Sequence, residues 1–220
     1  MKSFIGLFAV IGLGIILSLI GCASLKEGGQ ERVRLKEPRV KPLAESEWTE
    51  EQREILTPLK REGRTLNIFA TIAGHPKMTQ NWLPFISYVL RESTLPPRDR
   101  EILILRIGWL CRSEYEFGQH TLMGESAGLR SEEISRITEG PNASGWDPFE
   151  ATLLRAADEL HSDAFITEAT WNALAKRYDE KQLMDLIMTV GQYNMVSMVL
   201  NTLGVQLDEG VPGFPEGKDK

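Results

Sequence analysis

Apolar residues return every three or four positions along most of this chain, and no stretch alternates with period two. That spacing is the mark of amphipathic helices rather than half-buried strands. Thr49 and Gln52 form a capping box ahead of "EEQREILTPLKREG", and Pro58 is placed to end or bend that helix. Asn67 is the expected cap of "NIFATIAG", and Pro84 is an expected kink or break in the amphipathic "HPKMTQNWLPFISYVLRES". Pro97 opens the next helix, where proline is tolerated. That helix is apolar on all sides from Ile102 to Leu105, so it is expected at the centre of the fold. A helix starting near Ser113 runs to Ala127 and stops at Gly128, where glycine suits a helix end. Ser131 is read as the cap of a short helix, Asp147 as the cap of one that starts at Pro148, and Thr167 as the cap of "EATWNALAKRY". Asp179 and Gln182 cap a long, Met-rich helix from Glu180 to about Leu203, ended by Gly204. The fold class is all-α, with no internal repeat.

The N-terminus breaks this pattern. "MKSFIGLFAVIGLGIILSLIGC" sets one lysine before an apolar run from Phe4 to Ile20, followed by small residues and a cysteine. Charge, apolar core and cleavage site in that order describe a secretory signal. "LIGC", Leu19 to Cys22, resembles the lipobox of bacterial lipoproteins, which implies cleavage before Cys22 and lipidation of that residue. The run falls just short of a bilayer span of about 20 residues, so an uncleaved anchor helix is the other reading. Either one puts the domain outside the cytoplasm, membrane-anchored, on the periplasmic or cell-surface side. The expected organisation is a signal peptide at 1–21, lipidated Cys22 and a flexible tether at 22–45, a helical domain at 46–210, and a flexible tail at 211–220.

Composition narrows the functions. Lys and Arg number 25 against 31 Asp and Glu, a net charge of −6, and no basic stripe appears, which argues against nucleic acid as a partner. There are two cysteines. With Cys22 lipidated, Cys111 has no partner for an intrachain disulfide and no Cys-rich metal site can form. Three scattered histidines do not make a metal centre, and no cofactor is expected.

The candidate chemistry sits in "SEYEFGQH", residues 113–120. Ser113 and Glu116 have capping-box spacing, which accounts for both without chemistry. His120 follows Glu116 by four positions, so the two share a helix face; a carboxylate beside an imidazole favours the imidazolium and fixes the ring. The competing explanation is an exposed i,i+4 pair. Glu101, on the preceding helix, returns toward His120 if the turn near Arg112 is antiparallel, with an axial offset of roughly 7–8 Å; first-turn dipole compensation is its structural alternative. Arg106 is a carboxylate-binding candidate, although on an ideal helix it points about 140° away from Glu101. Asn194 is either core glue or a substrate contact. His75 is read as a loop or cap residue, His161 as a helix-end residue, and Cys111 as a small hydrophobe on a buried helix.

Glu101, Ser113, Glu116 and His120 reproduce the spacing E-x11-C-x2-C-x3-H, and "REILILRIGWLCRSEYEFGQHTLMGESAGL" resembles the signature region of the carboxymuconolactone decarboxylase superfamily, alkylhydroperoxidase-D-like members included. "GQYNMVSMVLNTLGVQLDEG" resembles its C-terminal helix and tail. The resemblance implies an alkylhydroperoxidase-D-like helical bundle that assembles as a homo-trimer or a higher homo-oligomer, with its site near subunit contacts. It departs at the two redox positions, where Ser113 and Glu116 replace cysteines. A thiol peroxidase needs both sulfurs, so peroxiredoxin activity follows from family membership but not from these residues. The remaining groups suit a metal-free acid/base lyase or isomerase acting on a small carboxylated ring or lactone compound. In that reading His120 donates the proton, Glu116 orients it and Glu101 completes the relay; Ser113, Arg106 and Asn194 are accessory. A non-catalytic, membrane-tethered scaffold or ligand binder is the alternative from a different class.

Overall fold

The computed structural model describes residues 35–217. The signal peptide, Cys22 and the first part of the tether lie outside the described residues. Among the described residues there is no strand, and the helices are α1 (Glu50–Leu56), α2 (Asn67–Ile72), α3 (Pro76–Arg91), α4 (Pro97–Leu110), α5 (Glu114–Ser126), α6 (Ser131–Ile137), α7 (Pro148–Asp163), α8 (Glu168–Leu174) and α9 (Glu180–Leu203).

The all-round apolar helix lies at the centre, as its sequence requires. α4 packs against α5, α7 and α9, and every residue from Glu101 to Gly108 is buried. A helix with no polar face must be covered on all sides. Capping chemistry sets several boundaries. Thr49, Asp147, Thr167 and Asp179 each accept a backbone N–H at the start of α1, α7, α8 and α9. Gly204 ends α9 in the left-handed conformation at φ 71°, which glycine adopts without a Cβ penalty.

Three local expectations change. Leu66, not Asn67, is the N-cap of α2; the Asn67 amide donates instead to the Gln206 carbonyl at 3.0 Å. Ser131 is the first residue of α6 and Arg130 its N-cap, with the Arg130 N–H donating to Glu133 at 2.9 Å. Pro84 sits inside an unbroken α3. Pro58 does end α1, which passes into a short 3-10 turn at Thr57–Leu59.

α4 and α5 form an antiparallel hairpin that positions the candidate site. The turn needs a left-handed residue, supplied by Arg112 at φ 52°, and the Ser113 N–H closes it onto the Gly108 carbonyl at 2.8 Å. Two glycines set the helix separation. A Cβ on Gly108 would stand 3.4 Å from Glu116 Cγ, and one on Gly124 would stand 3.2 Å from Leu105 and 3.8 Å from Glu101 Cβ. The hairpin therefore brings the Glu101 end of α4 beside the His120 end of α5.

The described segments on either side of the helices are fastened to this core. In the segment read as tether, the Arg39 N–H donates to the Leu203 carbonyl at 2.8 Å and the Leu43 N–H to the Ala70 carbonyl at 3.1 Å. Beyond α9, Asp208 accepts from Tyr115, from Gln119 at 2.8 Å and from the Asn67 N–H at 2.9 Å. In the segment read as flexible tail, Phe214 meets the rings of Trp109 and Phe117 at 5.1 and 5.3 Å between centroids. Pattern reading missed these contacts because both segments lack a helical period and are held by single side chains. The tail crosses α5 at Gly118, where a Cβ would overlap the Pro212 carbonyl oxygen and lie 2.9 Å from Val211. Gly118→Ala is therefore expected to lower stability by about 1–3 kcal/mol, the usual cost of overpacking. Denaturant unfolding should show the loss and limited proteolysis should show faster cleavage after Val205. Unchanged values for both would mean the tail does not seat on Gly118.

Candidate functional site

Glu101, His120 and Glu116 form one buried row. Glu101 Oε2 lies 2.6 Å from His120 Nδ1, and Glu116 Oε1 lies 3.0 Å from His120 Nε2. Each ring nitrogen thus faces its own carboxylate. Exposure is 0% for Glu101, 3% for Glu116 and 5% for His120. The axial offset expected from sequence is closed by the Glu101 and His120 side chains and by the close approach at Gly108 and Gly124. An exposed helix pair is ruled out by the burial.

Electrostatics make the row an ion cluster. Burial disfavours the imidazolium, but the two adjacent carboxylates outweigh it and hold the His120 pKa up at about 9. Burial likewise pushes Glu101 toward protonation, and His120 with Arg100 outweighs it, leaving the Glu101 pKa below its ordinary value. At neutral pH the imidazole is therefore charged. This is a stronger hold on the proton than that of an unperturbed imidazole, with its pKa of about 6.5.

The capping box does not form. Ser113 is the N-cap residue of α5, but its side chain makes no capping bond, and the Glu116 carboxylate that would complete the box faces His120 instead. Ser113 Oγ is buried without a hydrogen-bond partner among the described residues.

Two further accessory candidates lie elsewhere. Arg106 binds Asp158 through Nε at 2.6 Å and Nη2 at 3.1 Å, and donates to the Ile137 carbonyl at 2.8 Å. It locks α4 to α7 and to the end of α6, on the side of α4 away from His120, as its helical angle required. Asn194 Oδ1 stands 3.1 Å from Cys111 Sγ and 3.2 Å from His161 Nδ1. Cys111 is half-buried in that cluster rather than enclosed in the core. His75 is the N-cap of α3, its Nδ1 accepting the Met78 N–H at 3.3 Å.

Two residues at the row escaped sequence reading. Arg100 reaches Glu101 Oε1 with both Nε and Nη2 at 3.1 Å, so Glu101 is held between Arg100 on one oxygen and His120 on the other. Tyr193 of α9 packs edge-on against the imidazole, 4.8 Å between centroids. Burial and the charges of Glu116 and Glu101 raise its pKa well above normal, so its phenol stays protonated. The available signal was hydroxyls at positions 189, 193 and 197, a spacing of four that marks one buried face of an otherwise apolar helix.

A concavity of about 390 Å³ reaches the row from outside, lined by Arg61, Arg100, Glu101, Gln119 and Met123 among others. Its size falls within the usual range for small-molecule pockets of about 300–1,000 Å³. Among the described residues no group of three His, Cys, Asp or Glu side chains is arranged to hold a metal ion. What the row can do is hold a proton on a buried imidazole and pass it along either carboxylate.

The comparisons agree with this fold. Residues 76–159 match the model of the carboxymuconolactone decarboxylase family, a span that contains Glu101, Ser113, Glu116 and His120. No curated protein matches the chain in sequence. Among solved structures, the chain is similar to an uncharacterized peroxidase-related protein with an alkylhydroperoxidase AhpD core from Ralstonia eutropha JMP134. That pair is 15% identical with a TM-score of 0.68, covering 77% of this chain and 92% of that one. An uncharacterized peroxidase-related protein from Silicibacter sp. TM1040 is 16% identical with a TM-score of 0.65, covering 86% and 97%. The debrominase Bmp8, as a cysteine-to-alanine variant in complex with 2,3,4-tribromopyrrole, is 13% identical with a TM-score of 0.64, covering 79% and 94%. Residues 76–159 are therefore similar to the carboxymuconolactone decarboxylase family, and the chain has the all-α fold of these alkylhydroperoxidase-D-like structures.

Proposed function

We propose that this chain is an acid/base enzyme, a lyase or isomerase that works without a metal on a small carboxylated ring or lactone compound. The observation that carries the reading is the row itself: one imidazole clamped between two buried carboxylates, beside a pocket that one of them borders. A buried charge cluster costs desolvation free energy that a purely structural role is better served without. In a decarboxylation the carbon–carboxylate bond breaks, carbon dioxide leaves, and the electron pair stays on the ring as an enolate. That carbon then needs a proton. The His120 imidazolium supplies it through Glu101, the member of the row that borders the pocket, and Glu116 keeps the ring oriented and the charge balanced.

Thiol peroxidase chemistry fits the residues less well. Ser113 and Glu116 occupy the positions where the family's redox cysteines stand, and neither a hydroxyl nor a carboxylate reduces a peroxide. The lipid anchor on Cys22 and the placement outside the cytoplasm are part of the same proposal and rest on residues 4–22. So is the homo-oligomer. Met184, Ile187, Met188, Met195 and Met198 form one exposed apolar face of α9, of the kind that a second copy covers.

The test is turnover of a panel of ring carboxylates and lactones in deuterated water. A supporting result is product carrying deuterium on carbon, with kcat lowered about a hundredfold in His120→Gln, at the low end of what general acid catalysis contributes. Circular dichroism of the variant checks that it folds. Undiminished turnover in His120→Gln removes the imidazole from the chemistry. Thiol-dependent peroxide consumption that is lost in Cys111→Ser replaces this reading with a redox one.

A further inference from the structure

Arg61 and Arg100 both line the pocket that Glu101 borders, and neither follows from the motif. Arg61 lies outside the family-matched span of residues 76–159. It belongs to a tight turn whose backbone is closed in both directions, Arg61 N–H to Arg64 O at 2.8 Å and Arg64 N–H to Arg61 O at 2.9 Å. Glu62 and Gly63 supply the positive φ angles the turn needs, 49° and 78°. The Arg61 side chain is exposed and makes no ion pair among the described residues, whereas Arg64 pairs with Glu209.

Arg100 presents the contrast. Its side chain is 11% exposed and holds Glu101 Oε1. The charged residues lining the pocket are thus two guanidinium groups and one carboxylate, and that carboxylate is already shared with the His120 imidazolium. The pocket keeps a surplus of positive charge next to the proton source. A guanidinium without an ion pair, in the same pocket as a second one with a fork of donors, suits a planar carboxylate.

We infer that Arg61 and Arg100 form the carboxylate-binding end of this pocket, and that a bound carboxylate draws Arg100 away from Glu101. This deepens the acid/base reading and rests on it. An incoming carboxylate competes with Glu101 Oε1 for the Arg100 fork, and Arg61 supplies the second positive charge that lets it win. Release of Oε1 turns that oxygen from a salt-bridge partner into a group facing the ligand. Binding and exposure of the proton relay are then one event. A neutral ring of the same shape gains neither contact and leaves Glu101 locked.

The experiment is equilibrium binding with no turnover, using benzoate, benzamide and inorganic phosphate as probes by titration calorimetry on the full chain. Benzoate is expected to bind at least tenfold more tightly than benzamide and than phosphate. Arg61→Gln, an exposed substitution outside the helices, is expected to weaken benzoate about tenfold and leave benzamide unchanged. The Arg100 Nε–H resonance is expected to move on adding benzoate and to stay fixed with benzamide. Equal affinity for benzoate and benzamide, phosphate binding as tightly as benzoate, unchanged affinity in Arg61→Gln, a motionless Arg100 resonance, or no saturable benzoate binding each overturns the inference. Because the readout is binding alone, its failure is distinct from loss of the acid/base reading, which turnover of His120→Gln decides.

Discussion

Replacing Glu101 by leucine is expected to destabilise the fold by about 3–5 kcal/mol, the cost of removing one partner from a buried ion pair. Glu101 is fully buried and serves two cations: its Oε2 faces His120 and its Oε1 faces Arg100. Leucine fills a similar volume, so cavity formation contributes little. The penalty falls on what remains, an imidazole with one carboxylate instead of two and a guanidinium with no acceptor. Burial, which opposes protonation of His120, is then offset by Glu116 alone, so the His120 pKa should fall. Denaturant unfolding measures the first effect and NMR titration of the imidazole the second. The double variant Glu101→Leu, His120→Leu should cost less than the sum of the single changes, because the two residues share one interaction. Additive costs and an unmoved His120 pKa would show that the row carries no coupled charge.

Stability should also fall as pH rises from about 6.5 to about 9, by about 3 kcal/mol. The ordinary histidine value is 6.5 and the folded value about 9, and each pKa unit is worth about 1.4 kcal/mol. A group whose pKa is raised by folding contributes fully below its unfolded value. That contribution is lost as pH climbs through the folded one. Glu101 works in the opposite sense. Its pKa is lowered by folding, so its contribution is present above its ordinary value of 4.5 and is lost as pH falls through the depressed one. The row is most stabilising between these limits, from about pH 5 to 6.5. Unfolding free energies at pH 6.5 and 9 should show the alkaline loss in the wild type and much less of it in His120→Gln. A flat profile in the wild type would place His120 in its neutral form and undo the charge assignment on which the proton-donor role depends.

The residues of the row were legible in sequence to different degrees. Glu116 and His120 are four apart on one helix, so their pairing follows from helix geometry alone. Glu101 is nineteen positions from His120 in sequence, and an idealised hairpin leaves an axial offset of roughly 7–8 Å between them. Only the glycine-mediated approach of α4 and α5 brings it within 2.6 Å. Ser113 illustrates the opposite error. Its spacing to Glu116 is that of a capping box, but one carboxylate cannot reach back to the helix start and hold an imidazole at once. The more strongly interacting partner won. Arg106 and Arg100 are both cations on α4, and no local pattern separates the structural one from the one at the site. Their partners, Asp158 and Glu101, decide it.

By itself the sequence determined the all-α class, most helix boundaries, the central position of α4 and the absence of thiols at positions 113 and 116. Each of these is a local property: a 3.6-residue period, a capping side chain, or the identity of an atom. Tertiary structure alone decided that Glu101 meets the second His120 nitrogen, that Arg100 and Tyr193 join the row, and that the segments around residues 39–43 and 208–214 are bound to the core. Those outcomes depend on how closely separate helices approach, and so on contacts between residues far apart in the chain.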